Sequence, residues 1–132
     1  MFSVRPQCGI HDAEREVDLL FAEAERLRSE AYEITKRLGL LEMMGRHGRA
    51  EMVGSVALNL VVKRDIDLHL LTPEANLLAV IDALYHELIE REDVSEVRIS
   101  DYRAEGGIKL GIDAYNGPSG DWSIDLWVTN LP

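Results

Sequence analysis

Two aspartates near the middle of the chain are the residues best suited to chemistry. Asp65 and Asp67 are separated by a single isoleucine in the segment Asp65-Ile66-Asp67-Leu68. Side chains alternate between the two faces of a β-strand, so both carboxylates are predicted to project from one face, roughly 7 Å apart along it. Carboxylates this close raise each other's pKa, and a divalent cation between them removes that penalty. The pair therefore predicts a site for Mg²⁺ or Mn²⁺.

A Gly-Ser turn precedes the two aspartates. Gly54 and Ser55 follow Val53, and nine residues separate them from Asp65. Glycine allows a tight turn and a close approach of the backbone to a phosphate. Serine can begin a helix whose N–H groups face an anion. Together with the aspartates, the turn outlines a site for a metal-bound nucleotide.

The order of these residues resembles the signature of the nucleotidyltransferase superfamily, typified by DNA polymerase beta and the minimal nucleotidyltransferases. That signature is a hydrophobic residue, Gly, Gly or Ser, a short spacer, and then Asp, a hydrophobic residue, Asp or Glu, and a hydrophobic residue. Every position is matched between Val53 and Leu68, and the resemblance extends over the chain from about Glu51 onward. It also implies a third carboxylate on a later strand, for which Asp125 is the best match and Asp113 a rival.

The resemblance implies Mg²⁺-dependent transfer of a nucleoside monophosphate from a nucleoside triphosphate to a hydroxyl group, with release of pyrophosphate. Asp65 and Asp67 would bind the cations. Asp125 would help to bind the second cation and accept the proton of the attacking hydroxyl. Gly54 and Ser55 would contact the β- and γ-phosphates.

The chain also departs from the family pattern. Many minimal members have Ala-Arg-Gly after the Gly-Ser turn and a serine before the first aspartate, whereas this chain has Ala57-Leu58-Asn59 and Arg64. Larger members add an acceptor-binding helical domain after the last strand, which a partner would supply here unless the sequence is a fragment. Two alternatives therefore stay open: a catalytically inactive nucleotide-binding or regulatory module, and a toxin–antitoxin-type partner of a helical protein.

Composition restricts the partners. The 132 residues are 46% hydrophobic and carry a net charge of −10, which indicates one globular domain and argues against a long nucleic acid as ligand. A nucleotide remains compatible because Mg²⁺ supplies positive charge, and the acceptor is expected to be a small molecule or a protein side chain. Cys8 is the only cysteine, and the sequence has no apolar run long enough to span a membrane, so we expect a cytoplasmic protein without disulfides.

The sequence pattern predicts that an α+β fold positions these residues. Helices would lie on one face of a mixed sheet, preceded by a long N-terminal helix. Residues 1–11 are predicted to be a flexible tail, and residues 12–132 a single nucleotidyltransferase-like domain. Within it, 12–44 form a long helical segment with Asp12 as N-cap and an interruption at Gly39. Its apolar stripe comprises Val17, Leu20, Ala24, Leu27, Ala31, Ile34, Leu38 and Leu41. The helix either lies across the sheet or pairs with a second copy or a helical partner.

The sheet core is assigned to residues 50–132. Strands are predicted at 50–53, 64–71, 94–102, 108–115 and 122–128, with a short helix at 56–62. A further helix is predicted after the Asp65–Asp67 strand, with Thr72 as its N-cap and Pro73 in its first position, and it runs to about Arg91. By alternation, Asp125 shares a strand face with Trp127, and Asp113 shares one with Lys109 and Tyr115. His69 would lie on the face of Asp65 and Asp67.

Overall fold

A computed structural model describes the backbone of residues 5–57 and 63–130, and the side chains from Ala13 onward within those ranges. The elements, in chain order, are α1 (Arg5–Leu38), α2 (Leu40–Gly45), β1 (Arg49–Val53), α3 (Gly54–Ala57), β2 (Asp65–Thr72), α4 (Leu77–Ile89), β3 (Arg98–Tyr102), β4 (Gly107–Gly117) and β5 (Gly120–Asn130). The predicted helix at 56–62 is matched at its start by α3, and residues 58–62 lie outside the described ranges.

The five strands form one mixed sheet in the order β1-β2-β5-β4-β3. β2 and β5 are parallel neighbours, and the other three pairings are antiparallel. β2 alternates strictly between buried and half-buried residues, with Ile66, Leu68 and Leu70 completely buried. These side chains pack with α1, α2 and α4 in one hydrophobic core. The predicted α+β fold with helices on one face of a mixed sheet is therefore confirmed.

Helix α1 is longer than predicted, and only its second half packs on the sheet. It begins at Arg5, so the N-cap predicted at Asp12 is wrong; Pro6 has a fixed φ that suits the first turn of a helix. The stripe is buried from Leu27 to Leu38, as predicted for a helix across the sheet. Gly39, at φ 62°, ends α1 and redirects the chain. The stripe therefore does not continue to Leu41, which is 37% exposed.

Helix α4 begins later than its sequence signal predicts. The predicted N-cap, Thr72, is the last residue of β2; its hydroxyl donates to the carbonyl of His47 and accepts a hydrogen bond from the N–H of Glu74. The helix begins at Leu77, where the side chain of Asn76 caps the N–H of Ala79. Asparagine is as good an N-cap as threonine, and a hydroxyl already committed to a strand end is unavailable for capping.

The β4–β5 ladder contains a bulge between Ile112 and Tyr115. The extra residue turns Tyr115 into the core, where it is 1% exposed, so Tyr115 does not share the face of Asp113 as alternation predicts.

The strand predicted from Val94 begins only at Arg98. Val94 instead belongs to a turn, in which its N–H donates a hydrogen bond to the carbonyl of Arg91. No helix within the described ranges is long and apolar enough to cross a membrane.

Candidate functional site

The sheet brings the three predicted carboxylates to one face at its centre. Asp67 of β2 lies directly beside Asp125 of β5, and Asp65 lies beside Ser123. Adjacent strands are about 4.8 Å apart, so the first two aspartates are immediate neighbours, and Asp65 stands two residues along the same face. This face is opposite the one that the helices cover. The parallel pairing of β2 with β5 is what unites residues that are far apart in the sequence.

Burial and neighbouring carboxylates disfavour the ionised forms of Asp67 and Asp125. Burial raises the pKa of Asp67, and the charges of Asp125 and Asp65 raise it further. Burial also raises the pKa of Asp125, against the opposing effect of Lys109, with smaller increases from Asp113 and Asp65. The Lys109 Nζ lies 3.9 Å from Oδ1 of Asp125. The site is thus an acidic cluster whose repulsion one lysine offsets only in part.

Asp113, the rival for the third carboxylate, is differently engaged. It forms an ion pair with Arg98 at 2.6 Å, and its side chain is 52% exposed, against 26% for Asp125. Gly111 separates the two carboxylates: a Cβ there would lie 3.3 Å from Oδ1 of Asp125 and 3.8 Å from Oδ1 of Asp113. Asp125 is therefore the carboxylate that faces Asp67, and Asp113 lies at the margin of the cluster.

The turn at Gly54 brings the backbone close to the side chain of Asp67. It begins α3 with φ 73°, in the left-handed region that favours glycine, directly after Val53, which pairs with Asp67. A Cβ at Gly54 would lie 2.7 Å from Oδ2 of Asp67, so any side chain there would displace that carboxylate. Ser55 follows it, half-buried. The glycine thus has a role that its sequence context did not indicate: it lets the turn approach the carboxylate of Asp67.

Aromatic and cationic residues extend the open face beyond Asp125. The Trp127 ring lies 5.5 Å from the ring of Tyr102, and the Lys109 Nζ lies 5.5 Å from the Trp127 ring centre. No sequence pattern indicates the contact with Tyr102, because it joins β3 and β5, which lie on either side of β4. His69 shares the face of Asp67 as predicted, but its Nε2 is hydrogen-bonded at 2.8 Å to the hydroxyl of Thr129.

The residues present suit a hard divalent cation by donor type. Carboxylate oxygens are the ligands that Mg²⁺ and Mn²⁺ prefer, and a cation would offset both the burial and the repulsion by Asp125 and Asp65 that raise the pKa of Asp67. Within the described ranges, no group of three or more His, Cys, Asp or Glu side chains is already gathered to hold a metal. A cation would therefore have to draw these carboxylates together, and Asp67, which lies between Asp65 and Asp125 on this face, is its central ligand.

No protein-family model matches this chain, and no curated protein matches it at a significant level.

Proposed function

We propose that this protein is a Mg²⁺-dependent nucleotidyltransferase that transfers a nucleoside monophosphate from a nucleoside triphosphate to a hydroxyl group. The observation that carries the proposal is the side-by-side placement of Asp67 and Asp125 in the β2–β5 register. The Gly54 turn supports it, since it packs against the same carboxylate. A purely structural role does not account for two half-buried acids that face each other at a cost in repulsion.

The proposed roles follow from position and charge. Asp65 and Asp67 hold the cation, which would supply positive charge to the triphosphate. Gly54 and Ser55 border the phosphates. Asp125 accepts the proton of the attacking hydroxyl, since it lies beside Asp67 on the same face.

The acceptor is proposed to approach from the side of β4 and β3. The Gly54 turn occupies the β1 side of Asp67, so the phosphates lie there and the hydroxyl must reach Asp125 from the other side. Trp127 and Tyr102 border that approach. The net charge of −10 disfavours a long nucleic acid as acceptor, so we propose a small molecule or a protein side chain.

A second candidate function is supported by Lys109. Its ammonium group lies 3.9 Å from Asp125 and already supplies positive charge beside that carboxylate, in place of a second cation. A protein that uses a lysine in this way would bind a metal-bound nucleotide without transferring it. This alternative is a nucleotide-binding regulatory module on the same fold.

Pyrophosphate release tests the proposal. We expect release from a nucleoside triphosphate in the presence of Mg²⁺ and a panel of hydroxyl acceptors. Asp125→Asn should reduce it by about 10²-fold or more, the usual contribution of a general base, while nucleotide binding changes little. Asp113→Asn is the matched control, since that carboxylate is exposed and paired with Arg98, and release should stay near the wild-type rate.

The outcomes separate the two candidates. Binding of Mg²⁺ and nucleotide without release across the acceptor panel would favour the regulatory module. Equal losses from Asp113→Asn and Asp125→Asn would contradict the assignment of the proton acceptor.

A further inference from the structure

The N-terminal half of α1 carries an apolar stripe that the rest of the described chain does not cover. Val17, Leu20 and Phe21 recur at helical spacing and are 48%, 69% and 69% exposed. The same stripe is buried from Leu27 onward, where α1 meets the sheet. Large apolar side chains on successive turns at this exposure are typical of an interaction surface. This segment, from Ala13 to Arg28, is called the α1 arm below.

We propose that the α1 arm pairs antiparallel with the α1 arm of a second copy of this chain, with Phe21 near the two-fold axis. Glu14 and Arg28 each lie seven residues from Phe21 on opposite sides. Seven residues are about two helical turns, so the three side chains follow one edge of the stripe. A two-fold axis at Phe21 places Arg28 opposite the partner's Glu14, and Glu14 opposite the partner's Arg28. Opposite charges therefore meet at both ends of the stripe.

In the part of the chain that the structure describes, Arg28 lies at the edge of the stripe without a carboxylate partner of its own. Its guanidinium lies 5.1 Å from the ring centre of Tyr32. Among the described residues, neither Arg28 nor Glu14 forms an ion pair. An arginine without an ion pair at the edge of an exposed apolar stripe is placed to receive a carboxylate from a second copy of the chain.

The antiparallel arrangement is favoured over a parallel one by charge and by space. In a parallel pair, Glu14 would lie beside the partner's Glu14 and Arg28 beside the partner's Arg28, so like charges would meet at both ends of the stripe. The two sheet domains would also meet at the same end of the paired helices. In the antiparallel pair the domains lie at opposite ends, so each α1 arm is free to approach the other.

The test is the mass of the protein in solution, measured by light scattering and by sedimentation over a range of concentrations. We expect a dimer for the wild type and a monomer for Phe21→Glu at the same concentration. Leu78→Glu is the matched control: Leu78 lies on α4 and is 48% exposed, so this change adds a charge at an exposed leucine without touching the stripe. Its mass should stay that of a dimer.

A charge exchange tests the register. Glu14→Arg and Arg28→Glu should each weaken the dimer by about tenfold, because each replaces two attractive contacts with repulsive ones. The double variant should restore the affinity to that of the wild type. A monomeric wild type, which would leave the stripe to a different protein, overturns the proposal. So does a dimer that Phe21→Glu leaves intact, or a loss that the double variant does not repair.

Discussion

Gly54 shows how much of the site depends on the absence of one side chain. The left-handed φ of 73° and the approach to Asp67 are independent reasons for glycine at this position. The first is a backbone cost of roughly 1 kcal/mol for any other residue. The second is steric, because a methyl group 2.7 Å from Oδ2 must push the carboxylate of Asp67 away. Substitution here therefore acts on the site as well as on the fold.

We predict that Gly54→Ala lowers the free energy of unfolding by about 1–3 kcal/mol, from backbone strain and displacement of Asp67. It should also abolish any stabilisation by Mg²⁺. Gly106→Ala is the control, since Gly106 has φ 108° but nothing within 4 Å of its Cβ position. That variant should lose stability yet keep its response to the cation. Denaturant unfolding with and without Mg²⁺ measures the stability of each variant and its response to the cation. An unchanged Mg²⁺ response in Gly54→Ala would contradict the placement of the site.

The two neighbouring aspartates make stability depend on pH in a definite direction. The pKa of Asp67 is raised above its ordinary value of 3.8, first by burial and then by Asp125 and Asp65. Between that value and the raised pKa, the folded state binds more protons than the unfolded state. Stability therefore falls as pH rises through this window and remains lower above it. At neutral pH the charges of this pair therefore destabilise the cation-free protein.

At the scale of elements, α1 is fixed to the β4–β5 hairpin through a buried carboxylate. Glu30 is 8% exposed. It accepts hydrogen bonds from Ser119 N at 3.1 Å, the Ser119 hydroxyl at 2.6 Å and Trp122 Nε1 at 2.8 Å. The hydroxyl also accepts from Arg64 Nε, next to the first aspartate of the site. Burial alone would raise the pKa of Glu30, but the hydrogen bonds from Ser119 and Trp122 lower it below its ordinary value.

We predict that Glu30→Ala costs about 3 kcal/mol at neutral pH, because it leaves the buried indole N–H of Trp122 without an acceptor. Glu30→Gln should lose less, since an amide oxygen can still accept. The lowered pKa means that the contribution of Glu30 is complete above about pH 4.5 and is lost as pH falls through the folded-state value. Chemical unfolding across this range should therefore show a smaller acid loss in Glu30→Gln than in the wild type, and equal losses would contradict it.

Sequence patterns predict the elements in which hydrophobic residues recur with one regular spacing. They do not predict features that depend on contacts between residues far apart in the sequence. The alternation of Ile66, Leu68 and Leu70 located β2 because one face of that strand is buried throughout. The start of α4 was misplaced because Thr72 and Asn76 are both good caps, and only the strand pairing shows which one is free to cap. The burial of Glu30 was missed because its partners lie in a distant hairpin.

At the scale of the whole molecule, the helices cover one face of the sheet and leave the other to the acidic cluster. The sequence located Asp65 and Asp67 on this face through their spacing alone. It proposed Asp125 from the family resemblance, and the parallel β2–β5 pairing puts that residue beside Asp67. The ion pair of Asp113 with Arg98 and the contact between Lys109 and Asp125 could not be predicted, because they depend on the order and register of β3, β4 and β5.

The thermal unfolding of the protein with and without divalent cation tests the central claim most directly. The wild type should melt several degrees higher in Mg²⁺ or Mn²⁺, with a further rise when ATP is added, since a ligand that binds only the native state stabilises it. Asp67→Asn should melt above the wild type in the absence of cation at neutral pH, because it removes a half-buried charge that Asp125 and Asp65 repel, and it should not respond to Mg²⁺. A wild-type melting temperature indifferent to both cations, with and without ATP, would contradict the claim.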